Sequence, residues 1–174
     1  MVRSMRPPFI AMRRAWLALV IACASSSGEQ TYRRVTVEDG QLNIVMAGGR
    51  EIPAARDSGQ VAFDQVAIAP DQHSVGWLAL YPNCCTTYPI PLKLVVLTDG
   101  KERTFSGNDL PVWRWAFSAD GKRIAFRQSP VHGPAPVHYE LWDIRNRHRM
   151  ASFDTQTDTS PAVPTWARAL QPER

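Results

Sequence analysis

The chain has 174 residues, with 20 Lys and Arg against 16 Asp and Glu, four histidines and three cysteines. The net charge of +4 is carried by Arg3, Arg6, Arg13 and Arg14; without them the two signs balance at 16 each. This excludes basicity as a sign of nucleic-acid binding, and the remaining length suits one domain with a real core.

The start is basic and free of acids, followed by the apolar run "AWLALVIACA" and the small, polar "SSSGEQ". That order predicts a secretory signal over residues 1–23 and a flexible tether over 24–30. The run is too short to span a bilayer, which takes roughly twenty apolar residues. Ala22-Cys23-Ala24 fits ordinary cleavage after Ala24, while Val20-Ile21-Ala22-Cys23 resembles the bacterial lipobox. The second alternative implies lipidation of Cys23. Either way the expected location is the periplasm or the outer membrane surface of a bacterium, with a lipid anchor to the membrane in the second case.

Short strands are predicted from there on. "RRVTVEDGQLNIVM" reads as a hairpin: Val35 and Val37 alternate with polar residues, Glu38-Asp39-Gly40 turns, and Leu42, Ile44 and Met46 resume the alternation. Arg50 to Gln60 reads as a polar connection broken by Pro53 and Gly59. Further strands are expected at 61–69, 75–81, 92–98, 112–118, 123–128, 138–144 and 149–153, with turns at Asp99-Gly100, Asp120-Gly121 and Asn146-Arg147. The end of the chain, "PTWARALQPER", offers at most one short helical turn.

A repeat organises these strands. "VAIAPDQHSVGW" laid over "WAFSADGKRIAF" pairs Ile68 with Phe117, Asp71 with Asp120, Val75 with Ile124 and Trp77 with Phe126. Downstream, "LVVLTDGK" lies over "LWDIRNRH". Each unit is strand, Asp-containing turn, strand, long loop, strand, turn, strand, the pattern of a four-stranded propeller blade. The second unit, from Phe117-Ser118 through Asp120-Gly121-Lys122 and Ile124-Ala125-Phe126 to Leu141-Trp142-Asp143-Ile144, resembles the WD-like repeat of periplasmic TolB-type β-propellers. The first unit keeps Pro70 and Asp71 but has Gln72 where the pattern has glycine. The resemblance implies a blade used as a protein-binding scaffold and brings no catalytic residue.

Propellers need about four blades to close. Two units plus the N-terminal hairpin therefore predict an all-β fold of antiparallel, blade-like four-stranded meanders, as an incomplete propeller or a two-sheet sandwich. A single domain is expected over 31–160, with a C-terminal tail at 161–174. An open fragment completed as a homo-oligomer is the further alternative.

Trp113, Trp115 and Phe117 fall on one strand face by period two, a placement expected for core. Metal-ligand spacing is missing: His73, His132, His138 and His148 are scattered, and no Cys-x-x-Cys or His-Glu-x-x-His occurs. No phosphate-binding glycine loop or nucleophile elbow occurs, and no cofactor is implied. The proline-stiffened loops 81–91 and 129–137 occupy the same place in the two repeats. Their candidate binding residues are Tyr81, Tyr88, His132 and His138. Cys84 and Cys85 are adjacent; the expectation is a strained eight-membered disulfide ring, with a bridge between two chains as the alternative. These residues together predict a non-enzymatic envelope module that binds another envelope protein. The second class is a periplasmic enzyme or redox protein using Cys84/Cys85 and His132/His138.

Overall fold

A computed structural model describes residues 30–106, 110–133, 136–155 and 162–171. Eleven strands form three antiparallel sheets, none closed into a barrel. The first sheet holds β1 (Tyr32–Glu38), β2 (Gln41–Met46) and β3 (Glu51–Pro53). The second is the meander β4 (Ala62–Ile68), β5 (Ser74–Tyr81), β6 (Ile90–Thr98) and β7 (Lys101–Phe105). The third is the meander β8 (Val112–Phe117), β9 (Arg123–Gln128), β10 (His138–Asp143) and β11 (His148–Asp154). The two repeat units are thus two blade-like sheets of four strands. Among the described residues no helix is long and apolar enough to cross a membrane.

Side-chain alternation stacks the sheets. Val75, Trp77 and Ala79 of β5 face the first sheet and pack with Tyr32, Leu42 and Ile44. Leu78, from the opposite face of β5, packs with Leu94, Val112, Trp115, Ile124 and Phe126 toward the third sheet. The second sheet is buried on both faces, which is why β5 reads as a nearly continuous apolar run rather than an alternating one. Burying a large apolar side chain contributes about 1.5–3 kcal/mol, so these two layers supply most of the core.

Both ends of the stack are finished. On β1 and β2, Val35 and Val37 pair with Ile44 and Leu42, while Arg34, Thr36 and Glu38 pair with Val45, Asn43 and Gln41. The face turned away from the core is therefore mostly polar, as expected of a terminal repeat. At the other end, a 3-10 helix at Thr165–Leu170 lays Ala167 and Leu170 on Ala125, Tyr139 and Leu141. The segment expected to be a tail is the lid of the third core layer. Among the described residues the large exposed apolar side chains are scattered: Val37, Val61, Tyr88 and Met150.

Three further details depart from expectation. Glu51–Pro53 is a strand on β2, not a connection; Pro53 is tolerated because β3 is an edge. The second is a third sheet in the stack, which carries it past a two-sheet sandwich. Lastly, Trp113 leaves the aromatic stripe. The register slips between Val112 and Arg114, so Val112 joins Trp115 and Phe117 in the core while the Trp113 indole donates to Ser129 O at 2.8 Å. A bulge shifts parity by one residue, and period-two counting fails across it. The first strand of each sheet carries such a bulge: near Arg33 on β1, at Gln65 on β4 and at Trp113 on β8. All three strands are sheet edges. Bulges there blunt an unpaired edge. Two are tied together, Gln65 Nε2 donating to Trp113 O at 2.8 Å.

The equivalent repeat turns behave alike despite different residues. Gly121 has φ +69° and Gln72 has φ +64°. A Cβ on Gly121 would also overlap the Asp71 carboxyl group. Gly121→Val is expected to cost about 1–3 kcal/mol through left-handed strain and this overlap. Gln72→Gly should be neutral or mildly stabilising, since glycine accepts that φ without strain. Thermal melts check both; unchanged melting temperatures for the pair would contradict the repeat equivalence.

Candidate functional site

The meander topology sends the tight turns of the second and third sheets to one end and the long loops to the other. At the turn end lies an open cleft of about 430 Å³ between the two sheets. It is lined by Asp71, Asp99, Asp120 and Asp143, one from each turn, with Ser74 and Thr98 among the inner residues and Lys122 and Arg145 also on its wall.

Each aspartate is placed by its own turn. Asp71 Oδ1 accepts the His73 amide at 3.0 Å, and Asp143 Oδ1 accepts the Asn146 amide at 2.7 Å. Asp120 Oδ1 accepts from the Ser118 hydroxyl and the Lys122 amide, and its other oxygen meets Arg123 at 3.3 Å. The Ser118 hydroxyl, then the Lys122 amide, holds the Asp120 carboxyl below the usual range. These are Asx-type turn bonds, the reason Asp recurs here. Asp99 and Gly100 both have positive φ, as a tight hairpin turn of this type requires, and Asp99 sits 3.9 Å from Arg145. Arg103 donates to Ile144 O at 3.2 Å and also to Arg145 O, joining the second sheet to the last turn of the third.

Ser74 and Thr98 are opposite one another on β5 and β6 and only 3% and 7% exposed. Among the described residues the buried side-chain polar atoms without a partner are Trp115 Nε1, Arg127 Nε and Gln128 Oε1, so the Ser74 and Thr98 hydroxyls are not orphaned in the interior. The repeat alignment marked the aspartates through Asp71 and Asp120. Nothing in the sequence pattern marked Ser74 or Thr98, because a strand-end hydroxyl carries no spacing signature. No three described His, Cys, Asp or Glu side chains converge closely enough to hold a metal ion.

At the loop end the expected residues separate. Tyr81 donates its hydroxyl to Asp57 Oδ2 at 2.9 Å, and Lys93 pairs with the same carboxylate while lying 5.3 Å over the Tyr81 ring. Lys93, followed by Tyr81, holds Asp57 below its ordinary range. Tyr81 is thereby committed to fastening loop 54–60 to the second sheet. Tyr88 is 51% exposed, and its carbonyl accepts the Thr86 hydroxyl at 2.6 Å. Cys84 and Cys85 stand as free, exposed thiols in the turn of this loop, so the structure holds the reduced form of the pair, without the expected ring. Cys84 Sγ lies 3.7 Å from Asn83 Oδ1, and the Cys84 side chain pushes the Cys85 thiol upward, away from a reactive thiolate. His132 is exposed on the other loop. Cys23 lies outside the described residues.

His138 does not join His132 at an edge. It is 5% exposed, with Nδ1 2.6 Å from Asp154 Oδ1 and Nε2 3.0 Å from Glu140 Oε1. Glu140, fully buried, also accepts Trp142 Nε1 at 2.6 Å and Arg149 at 2.8 Å. Residues 138, 140 and 142 alternate on β10, so one strand face delivers the histidine, the carboxylate and the indole together. Burial opposes charge on His138, but its bonds to Glu140 and Asp154 outweigh that and raise its pKa. Burial likewise opposes charge on Glu140, and its bonds to His138, Arg149 and Trp142 hold it low. The result is a hydrogen-bonded ion network inside the third sheet.

No protein-family model matches the chain, and no curated protein matches it significantly.

Proposed function

We propose that this chain is an exported, non-enzymatic binding module of the cell envelope, which holds another envelope protein in the cleft at the turn end of its stacked sheets. The observation that carries the reading is the cleft itself: about 430 Å³, lined by four turn aspartates together with Ser74, Thr98, Lys122 and Arg145. A concave site lined by several polar and charged side chains suits a ligand that engages them. The rigid stack behind them keeps the site preorganised, which lowers the cost of binding. The resemblance of 117–126 and 141–144 to WD-like repeats of TolB-type propellers supports the same class, since those repeats serve as protein-binding scaffolds.

Export rests on the basic leader and its short apolar run, and anchoring on Cys23. Intact-mass measurement of the protein recovered from envelopes checks both this and the neighbouring thiols. The expected mature chain begins at an acylated Cys23 and is two hydrogens lighter than its reduced form, from a Cys84–Cys85 ring. An N-terminus at Ser25 without acyl mass contradicts the anchor. Two free thiols contradict the ring, and a reducible dimer points to the bridge between chains instead.

Binding itself is tested by chemical cross-linking in envelopes and co-purification. One predominant partner should be recovered, and its yield should fall when Asp71→Asn and Asp143→Asn are combined. Equal recovery by the variant would contradict the cleft as the site.

A further inference from the structure

We propose that Cys84 and Cys85 together bind one soft, two-coordinate metal ion of the cuprous class. The site lies at the loop end, away from the cleft, and uses the pair in its reduced form.

The sequence puts two thiols side by side, and the fold decides whether they can meet. On a strand, neighbouring side chains point to opposite faces. Here β5 ends at Tyr81 and β6 begins at Ile90, and the cysteines occupy a turn between them. Asn83 Nδ2 donates to Thr86 Oγ1 at 3.3 Å across that turn, and the Thr86 hydroxyl donates on to Tyr88 O at 2.6 Å. The two residues between Asn83 and Thr86 therefore sit at the apex, both exposed and both free. Their side chains are near enough for Cys84 to act directly on the Cys85 thiol. The adjacency is covalent, with Cα atoms about 3.8 Å apart across the peptide, so nothing else in the fold has to move to bring the sulfurs to one ion.

Two sulfur ligands select the ion. Thiolates are soft donors and favour Cu(I) over hard cations. Zinc needs a full tetrahedral shell and calcium a larger one of oxygens. No group of three or more His, Cys, Asp or Glu side chains among the described residues could supply either. A closed-shell monovalent ion such as Cu(I) is satisfied by the pair alone. Binding forms two Cu–S bonds, breaks two S–H bonds and releases both protons to water; nothing is oxidised or reduced. A Cys84–Cys85 ring would use the same two sulfurs, so ring and ion exclude one another, and the bound ion shields the pair from oxidation.

The test uses the full chain carrying Cys23→Ala, in which Cys84 and Cys85 are the remaining cysteines. It is reduced, freed of reductant under nitrogen and titrated against the coloured Cu(I) complex of bicinchoninate. The chain is expected to withdraw one copper ion from the chelate, to appear in native mass spectrometry as a monomer carrying that ion, and to lose the reactivity of both thiols toward a thiol reagent. Cys84→Ser and Cys85→Ser should each weaken binding roughly hundredfold or more, because a second ligand held at high effective concentration is lost. Both positions are exposed, and the melting temperature serves as a fold check. The chain oxidised to the ring should withdraw no copper. Copper that stays on the chelate while both thiols react as free would overturn the proposal. So would a single-cysteine variant that binds as tightly as its parent, or copper found only in a dimer, which would put the ion between chains. Zn(II) held as tightly as Cu(I) would also contradict it, since that requires ligands beyond the pair.

Discussion

Replacing Glu140 by alanine is expected to destabilise the fold by about 3–5 kcal/mol, the range for removing one partner of a buried ion pair. Glu140 is fully buried and accepts from His138, Arg149 and Trp142. Without it, the His138 charge keeps only Asp154, whose side chain is 58% exposed, and the Trp142 N–H loses its acceptor. Glu140→Gln should cost less, because the amide keeps one acceptor oxygen while placing a donor toward another donor. The network also sets a pH window. His138 has a raised pKa in the folded chain, so its contribution is full below the ordinary histidine value and is lost as pH rises through the raised one. Glu140 is held low, so its contribution is present above the ordinary glutamate value and lost as pH falls through the depressed one. Stability from the pair is therefore greatest between the usual glutamate and histidine pKa values. Denaturant melts across that range check this. In Glu140→Ala both limbs should flatten; a variant with the wild-type pH profile would contradict the network.

Trp115→Ala is expected to cost about 3–5 kcal/mol, as truncation of a large core aromatic does. Its ring is 9% exposed, packs edge-on to Phe117 with centroids 5.0 Å apart, and fills the layer between the second and third sheets. Its buried N–H has no hydrogen-bond partner among the described residues. The matching surface is Gly76 on β5: a Cβ there would lie 2.5 Å from the ring atom Cη2. Gly76→Ala should therefore cost about 1–3 kcal/mol by overpacking. In the Trp115→Ala background the added methyl meets a void, and the cost of Gly76→Ala should vanish or reverse. Additive effects in this double-mutant cycle would show that the two residues are not each other's packing partners.

Much of the fold could be read from the chain because its signals are local. The alternation in Val35–Met46, the Asp-Gly turns and the superposition of 66–77 on 115–126 place the hairpin and both four-stranded sheets. What was not legible depends on register or on distant packing. The bulge at Trp113 reverses parity without any sequence mark, Glu51–Pro53 is too short to alternate, and Ala167 and Leu170 of the 3-10 helix are buried by β9 and β10. The site divides in the same way. Asp71 and Asp120 stood out as turn residues, but their convergence with Asp99 and Asp143 requires two sheets to be stacked in register. His138 drew notice as a loop-flanking histidine, yet it is buried between Glu140 and Asp154, whose hydrogen bonds raise its pKa. Its role is set by neighbours on the pleated face and the adjacent strand.

Site-specific photo-cross-linking in living cells tests the central claim, that the turn-end cleft is where a partner is held. A photoreactive residue is placed at Lys122 or Asn146 on the cleft, at Asn43 on the polar outer face of the first sheet, and at Tyr88 on the loop end. The predicted result is a single adduct of defined mass from Lys122 and Asn146 and none from Asn43 or Tyr88. An adduct from Tyr88 or Asn43 with none from the cleft positions would contradict it.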